Sequence, residues 1–116
     1  MDKGNLRYLS QTFSTARRSL MIPLYRSEAQ AISDAFHECS LGLSHLQIED
    51  LDDHARSSIV KLQDFMDTTG IQDPNKRGLY IVKAEQLTQD QKSDLSGVID
   101  ELASWFEVHF WTDEKK

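Results

Sequence analysis

The sequence predicts an all-α fold: an antiparallel bundle of about four helices with a long extended connection before the last helix. Two observations predict it. Apolar residues recur at alternating steps of three and four in four separate segments, which places them on one face of a helix. Capping and turn residues separate these segments. With 116 residues, 39% of them apolar and 28% charged, the chain has the size of one domain, predicted to span residues 1–116.

The first helix is predicted over residues 5–21. Its apolar stripe consists of Leu6, Leu9, Phe13, Ala16 and Leu20. Arg7 and Arg18 fall opposite this stripe at about 100° per residue. Pro23 cannot continue the hydrogen-bond ladder of a helix, so we expect the helix to stop or kink there.

The second helix is predicted over residues 25–48, with Ser27 and Gln30 at the spacing of a capping box. Its apolar stripe consists of Ala29, Ile32, Phe36, Cys39, Leu43 and Leu46. Gly42 lies beside this stripe, where a neighbouring backbone could come close. Such a narrow stripe favours packing against other helices at a shallow angle.

The third helix is predicted over residues 51–69. Asp50 or Asp52 can cap its start, since acidic side chains favour the positive end of a helix, and Gly70 is a good terminator. Residues 79–82 form the only β-like run. A single strand has no partner inside an all-helical monomer, so we expect residues 79–82 to be an extended segment packed on the bundle. They lie in a connection, residues 71–87, that is unusually long for a bundle and is either a docking segment or a missed element. Pairing across a dimer is the alternative.

The last helix is predicted over residues 88–111, with Thr88 and Gln91 again at capping-box spacing. Its inner face includes Leu95, Val98, Ile99, Leu102, Trp105, Phe106 and His109. We expect His109 to be a partly buried packing residue with one hydrogen-bond partner.

No sequence pattern points to a catalytic residue, a metal site or a cofactor. His37 and His45 are about 12 Å apart along one helix, too far to share an ion. A di-metal bundle needs two Glu-x-x-His motifs, and Asp34 before His37 is the nearest approach. Cys39 lies in an apolar stripe, which predicts an inert, buried thiol. An enzyme or metal protein built around His37 or His109 is therefore the weakest hypothesis.

The charge of the chain is unevenly distributed. The net charge is −6, yet residues 1–26 hold five basic side chains against one acidic. Arg7, Arg17 and Arg18 of the first helix could contact phosphates of a nucleic acid, or meet acidic neighbours within the bundle, which is the favoured interpretation. An arginine-rich, acid-poor amphipathic start also resembles a mitochondrial presequence.

Function is expected from apolar residues outside the stripes. Leu41, Ile48, Val108 and Trp111 point away from them, and several such residues on a small domain indicate a second contact surface. The predicted partner-binding residues are Arg7, Arg17, Arg18, Leu41, Ile48, Tyr80, Trp105 and Trp111. They predict a non-enzymatic protein-interaction module, an adaptor, inhibitor or regulator, that binds a protein partner or itself as a homodimer. A nucleic-acid-associated regulator using the first helix is the alternative.

Cysteine usage and hydropathy bear on location. The single cysteine excludes an internal disulfide and favours a reduced compartment, so we expect a cytoplasmic protein. No run of about eighteen apolar residues occurs, and no signal peptide is visible, so no membrane association is expected.

Overall fold

The computed structural model describes residues 3–21 and 27–114, without the side chains of residues 3, 50 and 112–114. This part of the chain is all-helical and contains no strand. Its α-helices are α1 (Lys3–Met21), α2 (Glu28–Leu43), α3 (Asp53–Met66), α4 (Leu79–Gln86) and α5 (Gln89–Glu114), and a 3₁₀ turn spans Ile48–Asp50. The break predicted at Pro23 lies outside the described residues.

Helix α1 is the centre of the arrangement, because both α2 and α5 pack against it, while α4 packs on α2 and α3 packs on α5. The ring of Tyr8, in the second turn of α1, lies 4.5 Å from the ring of His45, which follows α2. Phe13 of α1 meets Phe106 of α5 at 5.1 Å between ring centroids. One turn after Phe13, Arg17 pairs with Asp100, which precedes Phe106 in α5. Helix α1 therefore runs antiparallel to both α2 and α5.

The predicted apolar stripes form the core. The largest fully buried side chains are Leu6, Leu9, Phe13, Phe36, Cys39, Ile59, Leu62, Leu95, Ile99, Leu102 and Phe106. Burying each large apolar side chain contributes about 1.5–3 kcal/mol relative to leaving it in water. The stripes of α1, α2, α3 and α5 thus meet in a single cluster.

Capping at the starts of α2 and α5 follows the sequence to different extents. Thr88 and Gln91 form the complete box, since each backbone N–H donates to the other's side chain, at 2.8 and 3.1 Å. At α2 the Ser27 hydroxyl accepts from the Gln30 N–H at 3.1 Å. The Gln30 side chain donates instead to Asp34 at 2.9 Å, so the return hydrogen bond of that box is absent.

Two predicted helices are too long. Helix α2 ends at Leu43 rather than residue 48, where the Ser44 hydroxyl donates to the Leu41 carbonyl at 2.7 Å and competes with helix continuation. Helix α3 ends at Met66 rather than residue 69. There the Asp67 carboxylate accepts from both the backbone N–H and the hydroxyl of Thr69, at 2.9 and 2.6 Å, and this side-chain turn closes the helix before Gly70.

The prediction of an extended segment at residues 79–82 is wrong, because these residues form the first half of α4. The Asp73 carboxylate accepts the N–H groups of Arg77 and Gly78, at 2.9 and 2.7 Å, and so folds the preceding loop. Tyr80 then packs on Phe36 at 5.4 Å between rings. Burial on α2 therefore overrides the β preference of the local sequence. None of the described helices is long and apolar enough to cross a membrane.

Candidate functional site

An open groove of about 450 Å³ lies between the first half of α1 and the last turns of α5. It is lined by Arg7, Ser10, Gln11, Glu107, Phe110 and Trp111. We name it the α1–α5 groove. The buried stripe of α1 faces its neighbours, which leaves the arginine and glutamine beside that stripe on the groove wall. On α5 the opposite wall is supplied by Glu107, directly after the core residue Phe106, and by Phe110 and Trp111, one turn beyond it.

Two aromatic rings form the apolar part of the α1–α5 groove. Phe110 is half-buried against the core cluster, and Trp111 is 54% exposed. Their rings meet edge to face, with centroids 5.4 Å apart. A tryptophan left in water beside a fixed aromatic ring offers a large apolar area with few side-chain torsions to order on binding.

The predicted arginine face of α1 is divided. Arg17 donates to the Asp100 carboxylate of α5 at 3.4 Å, as expected for a helix that meets an acidic neighbour. Arg7 and Arg18 are exposed, and within the described part of the chain neither forms an ion pair. Arg7 therefore brings a positive charge without an ion-pair partner into the α1–α5 groove, and Glu107 brings a negative charge into the same groove.

Leu41 and Ile48 are exposed as predicted, by 50% and 43%, but neither lines the α1–α5 groove. Leu41 is on α2, and both α2 and α5 pack on α1. Ile48 is in the 3₁₀ turn, where its carbonyl accepts from the Arg56 guanidinium at 3.1 Å. The structure thus places Arg7 and Trp111 in one groove, which Leu41 and Ile48 do not line.

Trp105 belongs to a joint between α5 and α3. Its indole N–H donates to Asp52 Oδ2 at 3.0 Å, and Asp52 also caps α3 by accepting from the Ala55 N–H at 2.8 Å. These hydrogen bonds, the backbone one first and then the indole one, lower the pKa of the Asp52 carboxyl. Trp105 is half-buried and already has a polar partner, so its role in the structure is to connect two helices.

His109 stacks on Trp105 with ring centroids 3.7 Å apart. The expected single hydrogen-bond partner is present, because Nδ1 donates to the Trp105 carbonyl at 2.8 Å. The expected partial burial is wrong, since His109 is exposed. At that point of α5 the stripe has turned away from the core.

The remaining candidates for chemistry are separate from one another. His37 contacts Tyr80 edge to face at 4.9 Å, and His54 Nε2 lies 3.4 Å from Glu101 Oε2. Burial raises the pKa of the Cys39 thiol to about 12, with a smaller contribution from a neighbouring glutamate. Among the described residues, no group of three or more His, Cys, Asp or Glu side chains could hold a metal ion.

Four further residues line the groove that were not among the predicted partner-binding residues: Ser10, Gln11, Glu107 and Phe110. The dense aromatic stretch at residues 105–111 was a signal, but periodicity does not say which helix faces it. No family model matches the sequence, and neither a curated protein nor a solved structure is significantly similar to the chain.

Proposed function

We propose that the protein is a non-enzymatic interaction module, a small adaptor, inhibitor or regulator, that binds a protein segment in the α1–α5 groove. The segment carries a large apolar side chain next to an acidic one. One observation carries the proposal: the exposed Trp111 lines the same groove as Arg7, which has no ion-pair partner among the described residues. Arginine and tryptophan are the residue types most enriched where binding energy concentrates.

The energy available at Trp111 is large enough to matter. A tryptophan can bury about 150–250 Å², and 54% of this residue faces water. Covering that part removes on the order of 100 Å² of apolar surface, which contributes about 2.5 kcal/mol. Arg7 adds less, because an ion pair at an exposed site contributes about 0.2–1 kcal/mol. The charge chiefly selects an acidic segment and speeds its association.

The experiment is selection of peptides from a displayed random library on the purified protein. We expect the enriched peptides to share a large apolar residue with Asp or Glu a few positions away. Trp111→Ser should weaken their binding by roughly fiftyfold, which corresponds to about 2.5 kcal/mol. Arg7→Glu should weaken it several-fold, and more at low salt than at high salt.

Leu41→Ser is the matched control, because Leu41 is about as exposed as Trp111 but lies on α2. It should leave peptide binding unchanged. Circular dichroism shows whether each variant keeps its helices. Peptides that bind Trp111→Ser as well as the parent protein, or a library that yields no enrichment, would contradict the proposal.

A second copy of the chain is the competing occupant. Homodimerisation through the same groove would give a dimer in light scattering that Trp111→Ser converts to a monomer, and it would replace the peptide segment in the proposal.

We further propose a cytoplasmic location, supported by the single thiol, which is buried and unpaired and suits a reduced compartment.

A further inference from the structure

A second cleft, of about 440 Å³, lies where the loop before α4 meets α2. Helix α2 contributes Ser33, Asp34 and His37 to one wall, and residues 77–81 form the other. We name it the α2–α4 cleft. It shares no residue with the α1–α5 groove, so inferences about it do not depend on the proposed protein binding.

The wall formed by α4 is the start of that helix. The first intrahelical hydrogen bond runs from the Val82 N–H to the Gly78 carbonyl at 3.2 Å. Gly78 has no side chain to cap the helix, and its own N–H is taken by Asp73. The N–H groups of residues 79, 80 and 81 therefore have no partner within the helix. Their dipoles add to a partial positive charge at this end.

Ser33 supplies the independent observation. It is only 2% exposed, and it is one of three buried polar residues in the described chain. The other two, Thr12 and Ser58, each donate a hydrogen bond from their hydroxyls. The Ser33 hydroxyl has no hydrogen-bond partner among the described residues, yet it is not sealed off, because it lines the cleft. The hydroxyl is therefore free to donate to a group that enters the cleft.

We propose that the α2–α4 cleft binds a small oxyanion, a phosphate or carboxylate group, through the free amides at the start of α4 and the Ser33 hydroxyl. All four groups are donors, which is the set that an anion requires. His37, whose ring packs edge-on against Tyr80, adds a further polar ring at the rim.

Two charged groups in the cleft shape its affinity. The Arg77 guanidinium is held by Glu85 through two hydrogen bonds of 2.8 and 2.7 Å, so most of its positive charge is already compensated. Asp34 accepts from Gln30 and contributes a negative charge that repels an anion. The cleft of the parent protein should therefore bind an isolated anion weakly, and removal of the Asp34 charge should strengthen binding.

The test is a titration of the ¹⁵N-labelled protein with sodium phosphate, and separately with sodium acetate, at an ionic strength held constant with sodium chloride. We expect saturable shifts of the backbone amide resonances of residues 79–81. Ser33→Ala should raise the apparent Kd about tenfold, the effect of losing one hydrogen bond to a charged group. Asp34→Asn should lower it several-fold.

Ser40→Ala is the matched control, since Ser40 is exposed on the same helix and does not line the cleft. It should bind like the parent. Saturation by both salts supports an oxyanion site in general, and saturation by phosphate alone supports a phosphate site. Amide resonances that do not move with either salt, or an unchanged Kd in Ser33→Ala, would overturn the inference. Ser33→Ala is expected to be at least as stable as the parent, so loss of binding cannot be ascribed to unfolding.

Discussion

Two helical glycines should respond to alanine in opposite directions. A Cβ atom at Gly42 would lie 2.5 Å from Thr12 Oγ1 and 3.0 Å from Phe13 Cε2 of α1, whereas a Cβ at Gly97 of α5 would meet nothing within 4 Å. Gly42 was expected to admit a neighbouring backbone, and the structure shows that side chains of α1 approach it instead. Gly42→Ala should therefore destabilise the protein and Gly97→Ala should stabilise it.

The magnitude at Gly42 follows from how little its neighbours can yield. Thr12 is 6% exposed and its hydroxyl donates to the Leu9 carbonyl. Phe13 is fully buried, with its ring against Phe106. Overpacking such a contact costs about 1–3 kcal/mol, and the better helix propensity of alanine returns at most about 1 kcal/mol. The packing cost therefore outweighs the propensity gain, and we expect a net loss of up to about 3 kcal/mol.

At Gly97 only the higher helix propensity of alanine counts, because a Cβ atom there meets no neighbour. The residue is exposed within a long helix, so alanine should raise the free energy of unfolding by about 0.5–1 kcal/mol. Both variants can be measured by urea unfolding followed by circular dichroism, with the slope of the transition unchanged. In a Thr12→Ala background, Gly42→Ala should cost less, because the closest atom is gone. Midpoints that move in the same direction for both glycines would refute the packing argument.

Three further outcomes are expected. Cys39 should resist iodoacetamide in the native protein and react once urea unfolds it, because burial raises the pKa of its thiol to about 12; equal labelling rates in both states would contradict this. The hydrogen bonds from the Ala55 N–H and the Trp105 indole lower the pKa of the Asp52 carboxyl. Its stabilisation is therefore present above the unfolded pKa near 3.8 and is lost as the pH falls through the lower folded value. Asp52→Asn should flatten that acid dependence in urea midpoints, and a parallel pH profile would count against it. For the nucleic-acid alternative, we expect the protein not to be retained on immobilised duplex DNA, because two unpaired arginines among the described residues of α1 are too few to neutralise many phosphates. Retention that falls steeply with salt concentration would instead support that alternative.

The buried faces of α1, α2, α3 and α5 could be predicted because each depends on a local property, the spacing of apolar residues. Phe13 and Phe36 are fully buried in stripes read from the sequence alone. That spacing does not say which helix covers which face, so the central position of α1 could not be predicted. The contact of Phe13 with Phe106 joins the two ends of the chain, and no local pattern encodes it.

Helix α4 shows why short elements are harder. Ile81 and Val82 are β-branched, and their stiff side chains lower helix propensity only slightly. Eight residues are too few for propensity to decide the conformation, so tertiary packing does. The almost fully buried Ala84 and the ring of Tyr80 supply that packing on α2. The β-like run of residues 79–82 carries no information about the surface of α2 on which it packs.

The two tryptophans of α5 explain why part of the candidate site was predictable and part was not. Both come from one aromatic stretch, and periodicity correctly put Trp111 outside the core. Trp105 was also predicted to be a binding residue, but its indole N–H already donates a hydrogen bond to Asp52 at the start of α3. Changing Trp105 therefore loosens a helix–helix joint, whereas changing Trp111 alters an exposed side chain. Only the second residue can separate binding from folding, and for that reason the proposed function depends on Trp111 and on Arg7, which lines the same groove.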